Sequence, residues 1–380
     1  MRIACISASN VPSRAANSLQ VMKVCQALVD LDHEIALWVP GNNPAMDWEA
    51  IAEHYGLRDR FMVEWIPSVP RLRRYDFALR AVARARRWGA DLYYAWPYQA
   101  AALASQLGRP TVLEMHDQPT GRFGPALFRW FLKGRGARRI LPTTKVLKDM
   151  LEEQFSTCFR AGFAVVSPNG VDLSRYEDLS SPESMRTDLQ LAPGPTVGYT
   201  GHLYEGRGMG MVVELARMNP KVTFLVAGGD PRDVDVWRAR IQTEGLSNIS
   251  LLGFIPNKRL ARVQGACDIL IMPHSQKVLD SSGMDIAAVT NPMKSFEYLA
   301  SGRAILASDL PILHEVLHEG NAIFLPPEDV EAWDRMLKNV LGDAELRKRL
   351  GARARKDARQ YTWLAREQRA LHGLRFDGDD

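Results

Sequence analysis

The chain has 380 residues, of which 46% are hydrophobic and 24% are charged, a composition typical of soluble globular proteins. That length favours two domains over a single core, and no apolar run approaches the ~18 residues that a membrane-spanning helix needs. The net charge of +4 is uneven: residues 1–165 hold 22 basic and 15 acidic side chains, and residues 166–380 hold 26 and 29, so the first half is better suited to an anionic partner.

The first half alternates short apolar runs with amphipathic patterns. The predicted strands are 2–7, 34–40, 91–96 and 111–117, and the predicted helices are 17–31, 75–88 and 100–107. Strands that alternate with helices imply parallel βαβ units.

The pattern restarts after a turn-rich break at 164–172 and a loose segment at 178–195. The predicted strands of this second half are 196–201, 222–229, 249–254, 268–273 and 304–309. A charged helical stretch follows at 344–373. Two successive doubly wound halves are therefore the economical interpretation.

We expect an α/β fold made of two Rossmann-like domains that face each other across a cleft. The predicted limits are 1–165 for the first domain and 166–355 for the second. A final helical segment, 356–380, is predicted to pack back on the first domain. An NAD-dependent dehydrogenase would need glycines in its first turn, and residues 7–18, SASNVPSRAANS, contain none.

The stretch NPMKSFEYLASGRAILASDLP, residues 291–311, predicts an anion site at a helix start. Asn291 is a suitable N-cap and Pro292 a suitable first helical residue, so free backbone N–H groups would face a diphosphate. Lys294 adds a positive charge there. Glu297 lies one turn on and would suit ribose hydroxyls. The structural alternative is a surface ion pair between Lys294 and Glu297.

Two further turns follow predicted strands. YTGHLYEGRG, residues 199–208, has glycines that permit close backbone approach, and His202 and Arg207 could place positive charge over a phosphate. TVLEMHDQ, residues 111–118, brings Glu114, His116 and Asp117 to the carboxyl end of a strand, where ligands of open α/β sheets bind. A purely structural histidine is the alternative for His116.

Six segments in order resemble the second domain of the retaining GT-B glycosyltransferases of family 4. They are PNGVD, YTGHLYEGRG, FLVAGG, LLGFIP, ACDILIMP and the stretch at 291–311. The resemblance implies that a sugar is transferred, with retention, from a nucleoside diphosphate sugar to an acceptor hydroxyl. It implies no cofactor, because the donor is a substrate, and it implies no metal.

The resemblance also assigns residues. It implies donor contacts from Gly201, His202, Arg207, Asn291, Met293, Lys294 and Glu297, and catalytic roles for His116, Arg207, Lys294 and Glu297. His116 resembles the residue that reaches the donor sugar. The family's basic pair, G-R-x-x-x-x-K-G, is substituted by His202 and Arg207, and we expect Arg207 to carry more of the phosphate role.

The family's first glutamate would fall at Val289 and is absent, so the transferred sugar stays open. The glycine-free first loop leaves Ser13, Arg14 and Asn17 as possible polar contacts.

Two segments, 71–88 and 123–139, combine arginines with apolar or aromatic side chains and suit an anionic membrane surface. The side chains in question are Leu72, Tyr75, Leu79 and Val82 in the first, and Phe128, Trp130, Phe131, Lys133, Arg135, Arg138 and Arg139 in the second. The alternative is two ordinary helices with basic solvated faces. We expect a glycan or lipid-linked acceptor and no nucleic acid, because no reader motif is present.

The start of the sequence lacks a basic-then-apolar leader, and its four cysteines have neither zinc nor redox-pair spacing. We therefore expect a cytoplasmic protein, peripheral on the inner membrane face if the basic segments bind lipid. The alternatives to a transferase are a nucleotide-sugar epimerase or sugar phosphorylase on the same scaffold, and a non-catalytic nucleotide-sugar-binding relative.

Overall fold

The computed structural model describes residues 1–72, 74–277 and 289–374, without the side chain of Pro70. The chain forms two compact units: the first combines Met1–Asn169 with the segment from Trp363 onward, and the second is Gly170–Thr362. The limits expected from the sequence, 165/166 and 355/356, lie a few residues before these.

Each unit is built on a six-stranded parallel sheet. The strands are β1 (Arg2–Ile6), β2 (Glu34–Pro40), β3 (Met62–Ile66), β4 (Leu92–Ala95), β5 (Thr111–Met115), β6 (Ala137–Pro142), β7 (Thr196–Thr200), β8 (Thr223–Ala227), β9 (Ile249–Gly253), β10 (Ile269–Met272), β11 (Ala304–Ser308) and β12 (Ile323–Leu325).

The helices complete the α/β pattern. They are α1 (Ala16–Val29), α2 (Trp48–Tyr55), α3 (Tyr75–Trp88), α4 (Tyr98–Gln106), α5 (Gly124–Lys133), α6 (Lys145–Gln154), α7 (Pro182–Asp188), α8 (Met209–Met218), α9 (Pro231–Thr243), α10 (Asn257–Gly265), α11 (Met293–Ser301), α12 (Val330–Gly342), α13 (Ala344–Ala358) and α14 (Trp363–Leu371).

The two sheets have the same topology. The first has the order β3-β2-β1-β4-β5-β6, and the second, read from its other edge, has the order β9-β8-β7-β10-β11-β12. Both are the doubly wound order 3-2-1-4-5-6, in which the strand order reverses between the first and fourth strands. The predicted fold class is confirmed, and it places the binding edge of each unit at the carboxyl ends of these strands.

The strands predicted from apolar runs are all present, because both faces of a parallel sheet are covered and its strands read as continuous apolar sequence. The sequence missed β3, β6 and β12. It was wrong about 178–195, which contains α7. It was also wrong to treat 344–373 as one helical stretch, because a 3₁₀ turn at Arg359–Tyr361 separates α13 from α14.

The two basic segments differ in part from their prediction. Val82 on α3 and both Phe128 and Phe131 on α5 are buried in the core, whereas Leu79 and Trp130 are exposed. Arg73, an arginine of the first segment, lies outside the described residues.

Arg139, expected on a solvated basic face, is instead buried in β6. Its guanidinium donates hydrogen bonds to the carbonyl oxygens of Gly162 at 2.8 Å, Ala370 at 2.5 Å and His372 at 3.0 Å. It therefore ties the C-terminal segment to the first sheet. In the described parts of the chain, no helix has both the length and the apolar character needed to cross a bilayer.

Candidate functional site

The turn after β7 and the start of α11 meet at Gly201. This glycine has φ of +134°, and a Cβ there would lie 3.1 Å from Lys294 Cε and 3.2 Å from Lys294 Nζ. A side chain at position 201 would therefore both strain the backbone and press on the lysine. The two segments that the sequence singled out as an anion site are thus in contact within one unit.

The neighbouring turns pack closely around Gly201 through their backbone atoms. A Cβ at Gly228, after β8, would lie 2.1 Å from the carbonyl oxygen of Gly201. A Cβ at Gly208 would lie 2.2 Å from the carbonyl oxygen of Pro273, after β10. The loops that follow β7, β8 and β10 can pack this tightly only because glycine lacks a side chain.

Lys294 is a buried lysine. Its Nζ lies 4.2 Å from the ring centroid of Tyr199, a cation–π distance, and forms no hydrogen bond with any residue that the structure describes. Burial and then the positive charge of Arg207 hold the pKa of Lys294 well below its ordinary value, with Glu297 acting in the opposite direction. The protonated form of a lysine that is buried beside another positive charge is stabilised when an anion binds next to it.

Two histidines lie beside this lysine. His202 stacks on Tyr204 with ring centroids 4.8 Å apart, and its pKa is lowered by burial and then by Arg207. His274, just after β10, is 1% exposed, and neither ring nitrogen has a hydrogen-bond partner within the described ranges. Its pKa is lowered well below the ordinary value by burial, then by Lys294 and Arg207.

These shifts share one electrostatic cause in addition to burial. Arg207 lowers the pKa of Lys294, and Arg207 and Lys294 both lower the pKa of His202 and of His274, because like charges at short range disfavour protonation. His274 was not among the residues singled out from the sequence. Its position was the signal available in the sequence. His274 follows β10, and β10 lies beside β7, which carries the Gly201 turn, at the point where the strand order reverses.

The expected helix cap is wrong by one residue. The helix begins at Met293, and Pro292 occupies the N-cap position with φ of −67° and ψ of 123°, without a side-chain cap. Asn291 therefore precedes the cap, because the extended ψ of Pro292 keeps that residue out of the helix. The N–H groups of the first turn start at Met293, next to Lys294, and remain suited to an anion.

Glu297 does not form the surface ion pair that was the alternative for it, because both it and Lys294 are buried. Its Oε1 lies 3.5 Å from Arg175 Nη1 and 3.4 Å from Asn257 Nδ2, and its Oε2 accepts from Gln264 Nε2 at 3.2 Å. No signal in the sequence identified these three partners, since they come from separate elements. Val289 is half-buried.

In the first unit, the three side chains expected at the end of β5 differ in exposure: Glu114 is buried, His116 is half-buried and Asp117 is exposed. Glu114 is buried in β5, and its Oε1 lies 3.0 Å from His116 Nε2. Its other partners include Tyr94, whose hydroxyl donates to Oε2 at 2.6 Å, and Arg366, whose Nη2 donates to Oε1 at 2.6 Å. His116 remains partly exposed just beyond the strand.

The first loop is held by α2. Ser13 N donates to the Tyr55 hydroxyl at 2.8 Å, and Ser13 O contacts His54 Nε2 at 3.0 Å. Arg14 and Asn17 are exposed. Over the described ranges, no group of three or more His, Cys, Asp or Glu side chains could hold a metal ion.

Two family models match the chain in tandem. The model described as glycosyl transferases group 1 matches residues 184–357, and the model described as glycosyltransferase family 4 matches residues 19–175. The first match contains the Gly201 turn and α11, and the second contains β5 and His116.

Characterised relatives are consistent with these matches. A 2-deoxystreptamine glucosyltransferase from Streptomyces kanamyceticus is 27% identical over 56% of this chain and 60% of its own length. A phosphatidyl-myo-inositol mannosyltransferase from Mycolicibacterium smegmatis is 25% identical over 90% of this chain and 85% of its own length. The chain thus spans less than two thirds of the first of these relatives and most of the second.

A solved structure agrees in fold. HepE from Anabaena, in complex with UDP-glucose, has a TM-score of 0.74 and 18% identity over 98% of this chain and 99% of that one. The paired doubly wound sheets, the tandem family matches and the named relatives point the same way. This chain belongs to the group 1 glycosyltransferases and has the GT-B fold.

Proposed function

We propose that the protein is a retaining hexosyltransferase that moves a sugar from a nucleoside diphosphate sugar to an acceptor hydroxyl. The observation that carries this proposal is the buried Nζ of Lys294, which lies against Gly201 and forms no hydrogen bond with any residue that the structure describes, while the positive charge of Arg207 acts on it. After burial, the charges of Arg207 and Lys294 also lower the pKa of His202 and of His274. A diphosphate supplies the negative charge that this group of cations requires.

The same cations suit the chemistry of the transfer. Cleavage of the bond between the sugar and the phosphate leaves negative charge on the departing nucleoside diphosphate, and fixed cations stabilise that charge. Lys294 and Arg207 would do so, with the N–H groups at the start of α11. His202 and His274 are neutral while the site is empty, and each would become a better donor on meeting a phosphate.

Roles for two further residues follow from the resemblance. Glu297 is the candidate for the ribose hydroxyls, and its set of neutral amides and a guanidinium holds the carboxylate in one place. His116 is the residue that the first unit would contribute, as a contact to the transferred sugar. Retention at the anomeric carbon is proposed from family resemblance.

The donor and acceptor can be narrowed by chemistry. HepE was solved with UDP and with UDP-glucose, so uridine nucleotides are the first donors to test. The named relatives act on 2-deoxystreptamine and on phosphatidyl-myo-inositol, each of which contains a ring with several hydroxyl groups. We propose a glycan or lipid-linked polyol acceptor in the synthesis of a cell-envelope polysaccharide or glycolipid.

The decisive experiment measures nucleotide release from a panel of nucleoside diphosphate sugars, with and without candidate acceptors, and then the anomeric configuration of the product by NMR. Release that depends on the acceptor, with an unchanged anomeric configuration, is expected. Conversion of the donor without any acceptor would support an epimerase, and phosphate-dependent cleavage a phosphorylase. Tight nucleotide binding without turnover of any sugar would support a non-catalytic relative.

An anionic membrane is proposed as the place where a lipid-linked acceptor is met. On the layer in which α4 packs between α3 and α5, the exposed apolar side chains include Leu72, Leu79, Leu107, Phe123 and Trp130. Arginines surround several of them, although Arg80 and Arg84 are already paired with Asp76 and Glu64. Basic and apolar groups on one surface suit peripheral binding to anionic lipid.

A further inference from the structure

His116 is held by a carboxylate that is itself held by α14, the last helix that the structure describes. We propose that Arg366, on α14, is a positioning residue for His116, acting through Glu114 to fix the orientation and tautomer of the imidazole. This inference rests on the proposed function for the meaning of its effect on activity, but the geometry behind it lies wholly within the first unit.

Arg366 is completely buried and makes an extensive set of bonds. Its Nε donates to the carbonyl oxygen of Pro168 at 2.9 Å, and its Nη2 donates to that of Ser167 at 3.2 Å and to Glu114 Oε1 at 2.6 Å. Its Nη1 contacts the Tyr94 hydroxyl at 3.2 Å. A guanidinium bonded on every side fixes its partners in position.

Glu114 is ionised in this setting. Burial alone would raise the pKa of Glu114, but Arg366, His116 and Tyr94 together lower it. An ionised carboxylate can only accept hydrogen bonds, so the contact of 3.0 Å between Oε1 and His116 Nε2 places the hydrogen on Nε2. In its neutral form the imidazole then presents Nδ1, as an acceptor, to a substrate hydroxyl.

A second carboxylate provides a matched control. Glu367 lies next to Arg366 on α14, is equally buried and is hydrogen-bonded to Arg366 Nη1, but it makes no contact with His116. Burial raises the pKa of Glu367 to about 7, with Arg366 opposing and Glu114 adding to the shift. Glu114→Gln and Glu367→Gln therefore each remove one acid from the same arginine, and only the first touches the histidine.

The test measures the tautomer of His116 in ¹⁵N-labelled full-length protein, by long-range ¹H–¹⁵N correlation, with His116→Ala used to assign its signals. We expect the Nε2–H tautomer in the native protein and in Glu367→Gln. In Glu114→Gln and Arg366→Lys we expect a mixture of tautomers, because the amide can turn its NH2 as well as its oxygen towards Nε2, and because lysine lacks the planar guanidinium that holds Glu114 in place. An unchanged tautomer in folded Glu114→Gln and Arg366→Lys would overturn the inference.

Activity gives the second readout. In Glu114→Gln, kcat should fall on the order of 10- to 100-fold while the KM of the donor stays the same, because misplacement affects the reacting geometry and leaves nucleotide binding alone. In a His116→Ala background the same substitution should have little further effect. An equal loss of kcat in Glu367→Gln would show general destabilisation and overturn the inference.

The two proposals fail separately. Absence of sugar transfer and of nucleotide binding in the native protein would refute the proposed function, while the tautomer measurement would still decide the role of Arg366. Normal transfer together with an Arg366-independent tautomer would refute only the positioning role. A cooperative thermal unfolding transition like that of the native protein, followed by circular dichroism, reports that each variant remains folded.

Discussion

Lys294 Nζ sits 4.2 Å above the ring of Tyr199, while the charge of Arg207 acts against its protonation. The folded-state pKa of Lys294 is lower than that of the unfolded chain, so below the unfolded pKa its charge costs folding free energy. The native protein accepts this cost at a place where an anion would offset it.

Lys294→Met should therefore stabilise the protein while removing its ligand. We expect thermal unfolding near pH 7 to shift upwards by a few degrees, corresponding to ~0.5–2 kcal/mol. UDP should no longer raise the unfolding temperature. Lys338→Met, at an exposed lysine paired with Asp334, is the control and should retain the UDP effect. A lower unfolding temperature for Lys294→Met would contradict the description of this site.

Arg207→Ala should weaken binding of UDP. The loss of one charge-assisted interaction with a phosphate, ~1.5–3 kcal/mol, corresponds to an increase in Kd of roughly 10- to 150-fold by calorimetry. Arg238→Ala removes an exposed arginine that pairs with Asp235 and should leave the Kd unchanged. An unaltered Kd in Arg207→Ala would discard its phosphate role.

Binding of UDP should be coupled to proton uptake. The pKa values of His202 and Lys294 are lowered in the empty site, and a bound diphosphate raises them, so protons are taken up on binding. By linkage, affinity should increase as the pH falls through neutrality. Calorimetry in two buffers of different ionisation enthalpy measures the uptake. Proton release, or equal heats in both buffers, would refute the coupling.

Glu297→Gln should distinguish nucleoside recognition from phosphate recognition. If the carboxylate binds ribose hydroxyls, the substitution should weaken UDP about tenfold or more and leave inorganic pyrophosphate unaffected. Because Arg175, Asn257 and Gln264 point at this carboxylate, the neutral glutamine also tests whether its charge is needed to hold them. Equal loss for both ligands would assign Glu297 to the phosphate site instead.

Membrane association should depend on the exposed residues of the helix layer. We expect the native protein to float with anionic liposomes at low salt and to be released as the salt concentration rises. Leu79→Glu, at a side chain that is 60% exposed, should reduce flotation several-fold without changing thermal stability. Val236→Glu, at an exposed residue of the second unit, is the control. Absence of native flotation would end this proposal.

Hydrophobic periodicity and the residues typical of turns were sufficient to predict most of the fold. Apolar runs mark parallel strands directly. The two segments singled out from the sequence as places for a phosphate, which contain Gly201 and Lys294, lie together in the structure. Strand β6 was missed because its first half, Ala137–Arg139, is basic in sequence. Only the carbonyl oxygens of Gly162, Ala370 and His372 make a buried arginine acceptable there.

Sequence was less informative about polar side chains that are buried. Arg175 and Arg366 look like ordinary surface arginines until the chain brings a carboxylate to each. Glu114 was expected to cluster with His116 and Asp117 at the end of a strand, yet it is buried, and Tyr94 and Arg366 enclose it. Such pairs join residues distant in the chain, and a single sequence contains no local trace of them.

The first unit is assembled from two segments that the second unit separates along the chain, and this has a consequence for biosynthesis. On the ribosome, residues 1–169 emerge before Gly170–Thr362, and the arginine that neutralises Glu114 emerges only after both. The second unit is continuous and can complete its sheet before that point. The first unit would thus complete its packing after the second, and nascent chains stopped before α14 should display an incompletely packed β5.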